Sequence, residues 1–165
     1  MPISVLTKAG IGYESSWAGG TAGTGAVPSM LLPVNPPTFT EQIEQVLDNA
    51  IRGVAAKDFE AYAGTIRAEG TLEGPFFPEE CGYFIACILG TTTTGTSTAP
   101  YAHAFTLGTT TPPSLTVQLE DQQRKFRYIG MRVNTFTLRF STAEGAATYS
   151  AGMIGQRADV LGGSY

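Results

Sequence analysis

Residues 67–90 read RAEGTLEGPFFPEECGYFIACILG, and the fold class turns on this stretch. Its first half belongs to a longer alternation from Ala61 to Phe76. Tyr62, Ile66, Leu72 and Phe76, with small residues between them, fall on one face. Thr65, Arg67, Glu69, Thr71 and Glu73 fall on the other, which predicts a long strand. Glycines within it invite a bend. The second half changes period. Pro78, Glu79 and Glu80 make a helix start, with proline in the first turn and two carboxylates near the positive end of the dipole. Phe84, Ile85, Ile88 and Leu89 supply an apolar stripe and Gly90 closes it, predicting a helix over residues 79–89.

Downstream, GTTTTGTSTAP (90–100) reads as a loop. Strand candidates then follow in quick succession. Tyr101, His103, Phe105 and Leu107 alternate, and so do Leu115, Val117 and Leu119. Phe126 and Tyr128 start a third that continues past Gly130. Asn134, Phe136, Leu138 and Phe140 form a fourth face, and Ala147 to Ile154 a fifth strand. Short strands at this spacing predict a mostly β protein, a β-sandwich or barrel with one flanking α-helix.

Upstream, residues 1–27 read as a flexible N-terminal arm, because AGGTAGTGA (18–26) is too rich in glycine to hold one shape. Trp17, the single tryptophan, precedes this piece and is a candidate docking residue, on its own core or on a neighbour. VPSMLLPVNPP (27–37) is an extended, proline-bounded segment. TFTEQIEQVLDNAIRG (38–53) admits two readings. Ile43, Val46, Leu47, Ala50 and Ile51 follow helical spacing and Thr38 with Glu41 fits a capping box, but a bulged strand accommodates the same residues. The β domain is expected over residues 28–155, with 156–165 as a C-terminal tail.

The chain has 165 residues, the size of one domain. Charged residues are only 15%, and Gly, Thr and Ser fill the gap, which suits a β-rich chain with large uncharged surfaces. A net charge of −4 argues against a nucleic-acid reader; the one basic cluster, Arg124, Lys125 and Arg127, reads as a solvated strand end. There is no apolar run of membrane-spanning length, and MPISVLTKAGIGYESSWAGG lacks the apolar core of a secretory signal. The expected compartment of synthesis is a reducing cytoplasm. Cys81 and Cys87, six residues apart on one helix, would be separated by a rise of about 9 Å, beyond disulfide reach.

Reactive constellations are missing from the sequence. His103, the sole histidine, has no Cys, Asp or second His at metal-ligand spacing and reads as structural. Residues 90–97 mimic a phosphate loop but place Thr96 where lysine belongs, and they follow a helix. Glu69 and Glu73 share a strand face at about 13 Å, too far apart for the glycosidase arrangement. No catalytic residue, cofactor or metal is predicted.

One combination remains. IGYESSWAGGTAG (11–23), NAIRG (49–53), GTIRAEGTLEGPFFPEECGYFIACILG (64–90), YAHAFTL (101–107), PPSLTVQLED (112–121) and FRYIGMRVNTFTLRF (126–140), in this order, resemble the tail tube (major tail) proteins of long-tailed bacteriophages. The resemblance implies a β-sandwich flanked by a helix, six copies in a ring, rings stacked into a tube, and double-stranded DNA passing through the lumen of a virion tail. Implied partners are further copies of the chain and other tail proteins such as the tape measure, tail tip and terminator. The resemblance tips residues 38–51 toward strand and makes 53–60, with Gly53, Lys57, Asp58 and Glu60, a projecting inter-ring loop. Some relatives carry a second, similar half that this chain does not show.

Elementary physics points the same way. Few prolines or lysines guard the strands between Ala61 and Phe140, and exposed sheet edges normally must be hidden. A head-to-tail ring hides them. Glu69 and Glu73 are candidate lumen residues that would repel the DNA backbone; the competing reading of the same face is an exterior solvated one. Other functional readings are a minor tail or adaptor protein forming a single capping ring, and an unrelated β-sandwich binding module.

Overall fold

The alternation across 61–76 becomes a strand at Ala61–Pro75, and the proline-led start after it becomes a helix at Pro78–Leu89. The computed structural model describes residues 8–17, 25–48, 61–95, 102–108, 111–121, 124–141 and 145–161. In chain order the elements are β1 (Lys8–Tyr13), β2 (Met30–Leu32), β3 (Thr38–Leu47), β4 (Ala61–Pro75), α1 (Pro78–Leu89), β5 (Gly90–Thr94), β6 (His103–Leu107), β7 (Leu115–Glu120), β8 (Lys125–Arg139), β9 (Thr148–Gly155) and β10 (Arg157–Leu161). The protein is mostly β with one helix, as expected.

Every ladder is antiparallel. The large sheet runs β2-β1-β7-β8-β9-β4-β3, with β10 also on β8; β5 and β6 form a separate hairpin. Strand β8 serves two layers. Its first half pairs with β7 and β10, and residues 132–139 pair with β9. Gly130, at φ 70°, sits at the changeover, a conformation that side chains on Cβ disfavour.

The core lies where the layers and helix meet. Ile11, Leu115 and Val117 from β1 and β7 join Ala68, Leu72, Tyr149 and Met153 from β4 and β9, with Cys81, Phe84 and Cys87 from α1. The Phe84 ring lies 5.4 Å from that of Tyr149 and 5.9 Å from that of Phe136. Pro78 opens α1, Glu79 and Glu80 occupy its first turn, and Gly90 at φ 87° ends it with its N–H on the Ala86 carbonyl.

The structure settles one open reading and corrects several expectations. Residues 38–47 are a strand, as the resemblance favours, and the β3–β4 register shifts between Ile43 and Gln45. The extra residue lies on β4, where Gly64 and Thr65 stand against Glu44 alone, so β3 keeps its alternation and Ile43 and Val46 fall on opposite sides despite their helical spacing. The Thr-rich stretch read as a loop forms β5 over Gly90–Thr94, consistent with the strand preference of β-branched residues. The expected arm contains β1, paired to both β2 and β7. Gly12 in β1 serves close approach: a Cβ there would lie 2.6 Å from the Val27 carbonyl oxygen. The expected C-terminal tail contains β10, so the boundary at 155 falls inside the sheet. The third and fourth strand candidates are one strand, β8, kinked at Gly130 and bulged between Val133 and Thr135. Tyr101 lies outside the described residues.

Candidate functional site: an open sheet face and two unpaired edges

The layer β8(132–139)-β9-β4-β3 has one side on the core and the other side uncovered. Its register sets the uncovered side in rows. Thr40 of β3 stands opposite Glu69 of β4, Glu69 opposite Ile154 of β9, and Ile154 opposite Arg132 of β8. The next row is Thr38, Thr71, Gly152 and Thr135, followed by Glu73, Ser150 and Thr137. The face is dominated by hydroxyls.

Glu69 and Glu73 do share this face, as the sequence predicts, but neither stands alone. The Glu69 carboxylate pairs with Arg67 Nε at 3.2 Å, and Ser150 Oγ donates to Glu73 Oε1 at 3.0 Å. Arg67 also donates to Gln42 Oε1 at 2.8 Å through its terminal nitrogen. Glu44 stands beside Gln42, Thr65 and Arg67, and Arg132 and Arg139 lie on the same face, so Glu44, Glu69 and Glu73 share it with three guanidiniums among the described residues. The face that carries Glu69 and Glu73 is therefore hydroxyl-rich and nearly neutral.

Both edges of this layer are unpaired among the described residues. β3 pairs only with β4, and residues 132–139 of β8 pair only with β9. β3 and the facing part of β4 also project past the core. Ala68 is fully buried, whereas Ile43 and Ile66 on the same side of the ribbon, and Val46 and Tyr62 on the other side beyond the bulge, are 43–56% exposed. Such a two-stranded ribbon is marginally stable alone in water. The strand was legible in the sequence; that the bulge turns Tyr62 away from the face of Ile66, and that the body ends at Ala68, was not.

Trp17 is 54% exposed. It lines a groove of about 290 Å³ with Gly130, Arg132, Val133, Asn134, Ile154 and Gly155. The groove lies where β7 leaves β8, since their last pair is Leu115 with Met131. Sequence reasoning singled out Trp17 but missed Arg132, whose Nε is buried with no hydrogen-bond partner among the described residues. Gly53, Lys57, Asp58 and Glu60 lie outside the described residues.

One buried carboxylate anchors the segments around the groove. Glu14 accepts hydrogen bonds from Ser114 Oγ at 2.5 Å, Thr116 Oγ1 at 2.7 Å and the Gly130 N–H at 2.9 Å. Thr116 Oγ1 in turn accepts from the Ala26 N–H at 2.8 Å. Both ends of the 14–26 excursion are thereby tied to β7.

Elsewhere the chemistry is quiet. The thiols of Cys81 and Cys87 are unpaired, and burial pushes them up to about 11 and about 12. Among the described residues no group of three or more His, Cys, Asp or Glu side chains is placed to hold a metal. His103 stands on β6 of the small hairpin.

The fold is an antiparallel β-sandwich with one helix and one bare polar sheet face. The family model of phage tail tube proteins matches residues 5–164, and the chain belongs to that family. Solved structures agree in fold at low identity. The sheath/tube terminator of an extracellular contractile injection system matches with a TM-score of 0.54 at 11% identity over 98% of both chains. The SPP1 tail tube matches with a TM-score of 0.52 at 9% identity, over 96% of this chain and 78% of that one. The tail of an empty gene transfer agent particle, solved with C6 symmetry, matches with a TM-score of 0.50 at 12% identity, over 80% of this chain and 83% of that one. Comparison of the sequence with curated proteins finds no match. The protein is a structural component of a phage tail.

Proposed function

We propose that the chain assembles head to tail into hexameric rings, that the rings stack into the tail tube, and that the hydroxyl-rich sheet face lines the lumen through which double-stranded DNA leaves the particle. The observation that carries this reading is the pair of unpaired edges on one four-stranded layer. An exposed edge is a template for another strand. Neighbours in β8-β9-β4-β3 run antiparallel, so β3 runs opposite to β8. Joining β3 of one copy to β8 of the next therefore keeps the ladder antiparallel with no subunit inverted, and repetition closes a barrel. The C6 symmetry of the gene transfer agent tail supports six as the number. Stacked rings need a second interface, for which the sequence offers residues 53–60. Partners beyond the chain itself are the tape measure, tip and terminator proteins of the tail, with assembly in the host cytoplasm. The near-neutral face suits passage of a polyanion, since it neither binds phosphate as a basic groove does nor opposes entry strongly.

A second reading, a single ring that caps a tube, is favoured by the match to a tube terminator over 98% of both chains. Negative-stain microscopy and sedimentation of the purified chain separate the two. Striated tubes support the first reading, isolated rings the second, and a monomer at high concentration overturns both. Lysine at Ile43 and Val46, exposed on β3, is expected to stop assembly while the monomer's unfolding temperature stays unchanged.

A further inference from the structure

The groove beside the free half of β8 carries two features that the isolated chain does not use. Arg132 Nε is buried there without a hydrogen-bond partner among the described residues, and half of the Trp17 surface is open to solvent. A buried guanidinium nitrogen with no acceptor is costly, and supplying an acceptor removes that cost. A large amphipathic ring over an unfilled groove is the usual form of an interface anchor.

Charge identifies the occupant. The free half of β8, residues 132–139, contains Arg132 and Arg139 and no acid. β3 with the residue after it, TFTEQIEQVLD, contains Glu41, Glu44 and Asp48 and no base. One strand of the layer is wholly basic and the opposite edge strand wholly acidic. Each strand repels another of its own kind and attracts the other, which favours head-to-tail over head-to-head pairing. Polarity agrees with charge. The β3–β4 ribbon leaves its own core at Ala68 with Ile43 and Val46 both exposed, and the groove offers Trp17, Val133 and Ile154 as apolar cover.

We propose that the groove formed by Trp17 and Arg132 is the receptor for the acidic β3 strand of a second copy: a carboxylate or carbonyl of that strand accepts from Arg132, and its apolar side chains settle against Trp17. The inference rests on the ring reading above and adds to it which side chains make the junction and why it has a direction.

Trp17 is the only tryptophan, so its emission reports this groove alone. The test uses the full chain, following emission and sedimentation together as concentration rises at low salt. Assembly is expected to shift the Trp17 maximum to the blue in step with the sedimenting fraction. Arg132→Glu and Glu44→Lys are each expected to raise the concentration needed for assembly by at least about tenfold. Moderate salt is expected to do so in the wild type. Combining both substitutions should recover part of the loss. Unfolding curves that match the wild type show that the variants fold, and the wild-type emission needs no variant. If the chain assembles with Trp17 unmoved, or Arg132→Glu assembles normally, the junction is overturned while the ring reading survives. If the wild type never assembles, the ring reading itself fails and takes the junction with it. A shift of monomer emission on adding a short DNA duplex assigns the groove to nucleic acid and overturns the proposal.

Discussion

Glu14 Oε1 accepts the Gly130 N–H at 2.9 Å, joining the chain just after β1 to the point where β8 passes from one layer to the other. The carboxylate is 8% exposed and also holds Ser114 and Thr116. Replacement by alanine strands three buried donors. Glu14→Ala is expected to destabilise the chain by about 2–4 kcal/mol, read as a lower urea midpoint with an unchanged slope. Glu14→Gln, which keeps an acceptor oxygen, should lose less. Equal losses for the two would show that the acceptor is not what matters.

Gly12 tests the correction of the N-terminal region from arm to strand. A Cβ there would meet the Val27 carbonyl oxygen at 2.6 Å, and a backbone atom cannot swing aside. Gly12→Ala is expected to lift residues 25–29 off β1 at a cost of about 1–3 kcal/mol. Loss of hydrogen-exchange protection at the Ser29 amide, which bonds to the Ile11 carbonyl at 2.9 Å, reads the change directly.

The buried thiols set an alkaline limit. Cys81 rises from 9.0 to about 11 and Cys87 from 9.0 to about 12, both chiefly through burial. The folded chain therefore holds these protons after the unfolded chain has released them. Stability from this source is complete below pH 9.0 and falls as pH rises from there through about 11 to about 12. Burial pushes Tyr13 and Tyr149 in the same direction. A Cys81→Ala/Cys87→Ala variant should show a shallower fall of unfolding temperature above pH 9.0. An unchanged slope would assign the alkaline limit to the tyrosines.

The open face makes a prediction about transport. Glu69→Gln with Glu73→Gln leaves Glu44 as the carboxylate opposing Arg67, Arg132 and Arg139 on that face. Tubes should form in normal yield, because both glutamates lie away from the sheet edges, while DNA release from particles slows and becomes more salt-sensitive. Normal release at low salt would place this face outside the lumen.

Much of the fold was legible because period and punctuation agreed. Residues 61–76 alternate cleanly, and 78–90 carry every helix signal from proline start to glycine stop. The failures share a cause: local pattern cannot report what lies across the sheet. Ile43 and Val46 imitate a helix by spacing although they fall on opposite sides of β3, where the ribbon projects past the core and leaves both exposed. The arm reading of residues 1–27 missed β1 because the close approach of Pro28 and Val27 to Gly10 and Gly12 leaves no local pattern. The site divides likewise. Glu69, Glu73 and Trp17 could be picked out by type and placement, whereas Arg132 carried no local signal. Only its register opposite Ile154, beside Trp17, gives it meaning.

Because β8 runs unbroken through both layers, the two cannot slide past each other without tearing covalent chain. A pull applied at residues 132–139 arrives at β7 and β10 within a few peptide units. In the tube proposed above, load on the inner wall would be borne by the outer layer in the same instant, and each subunit would be a stiff brick that bends only at its mortar.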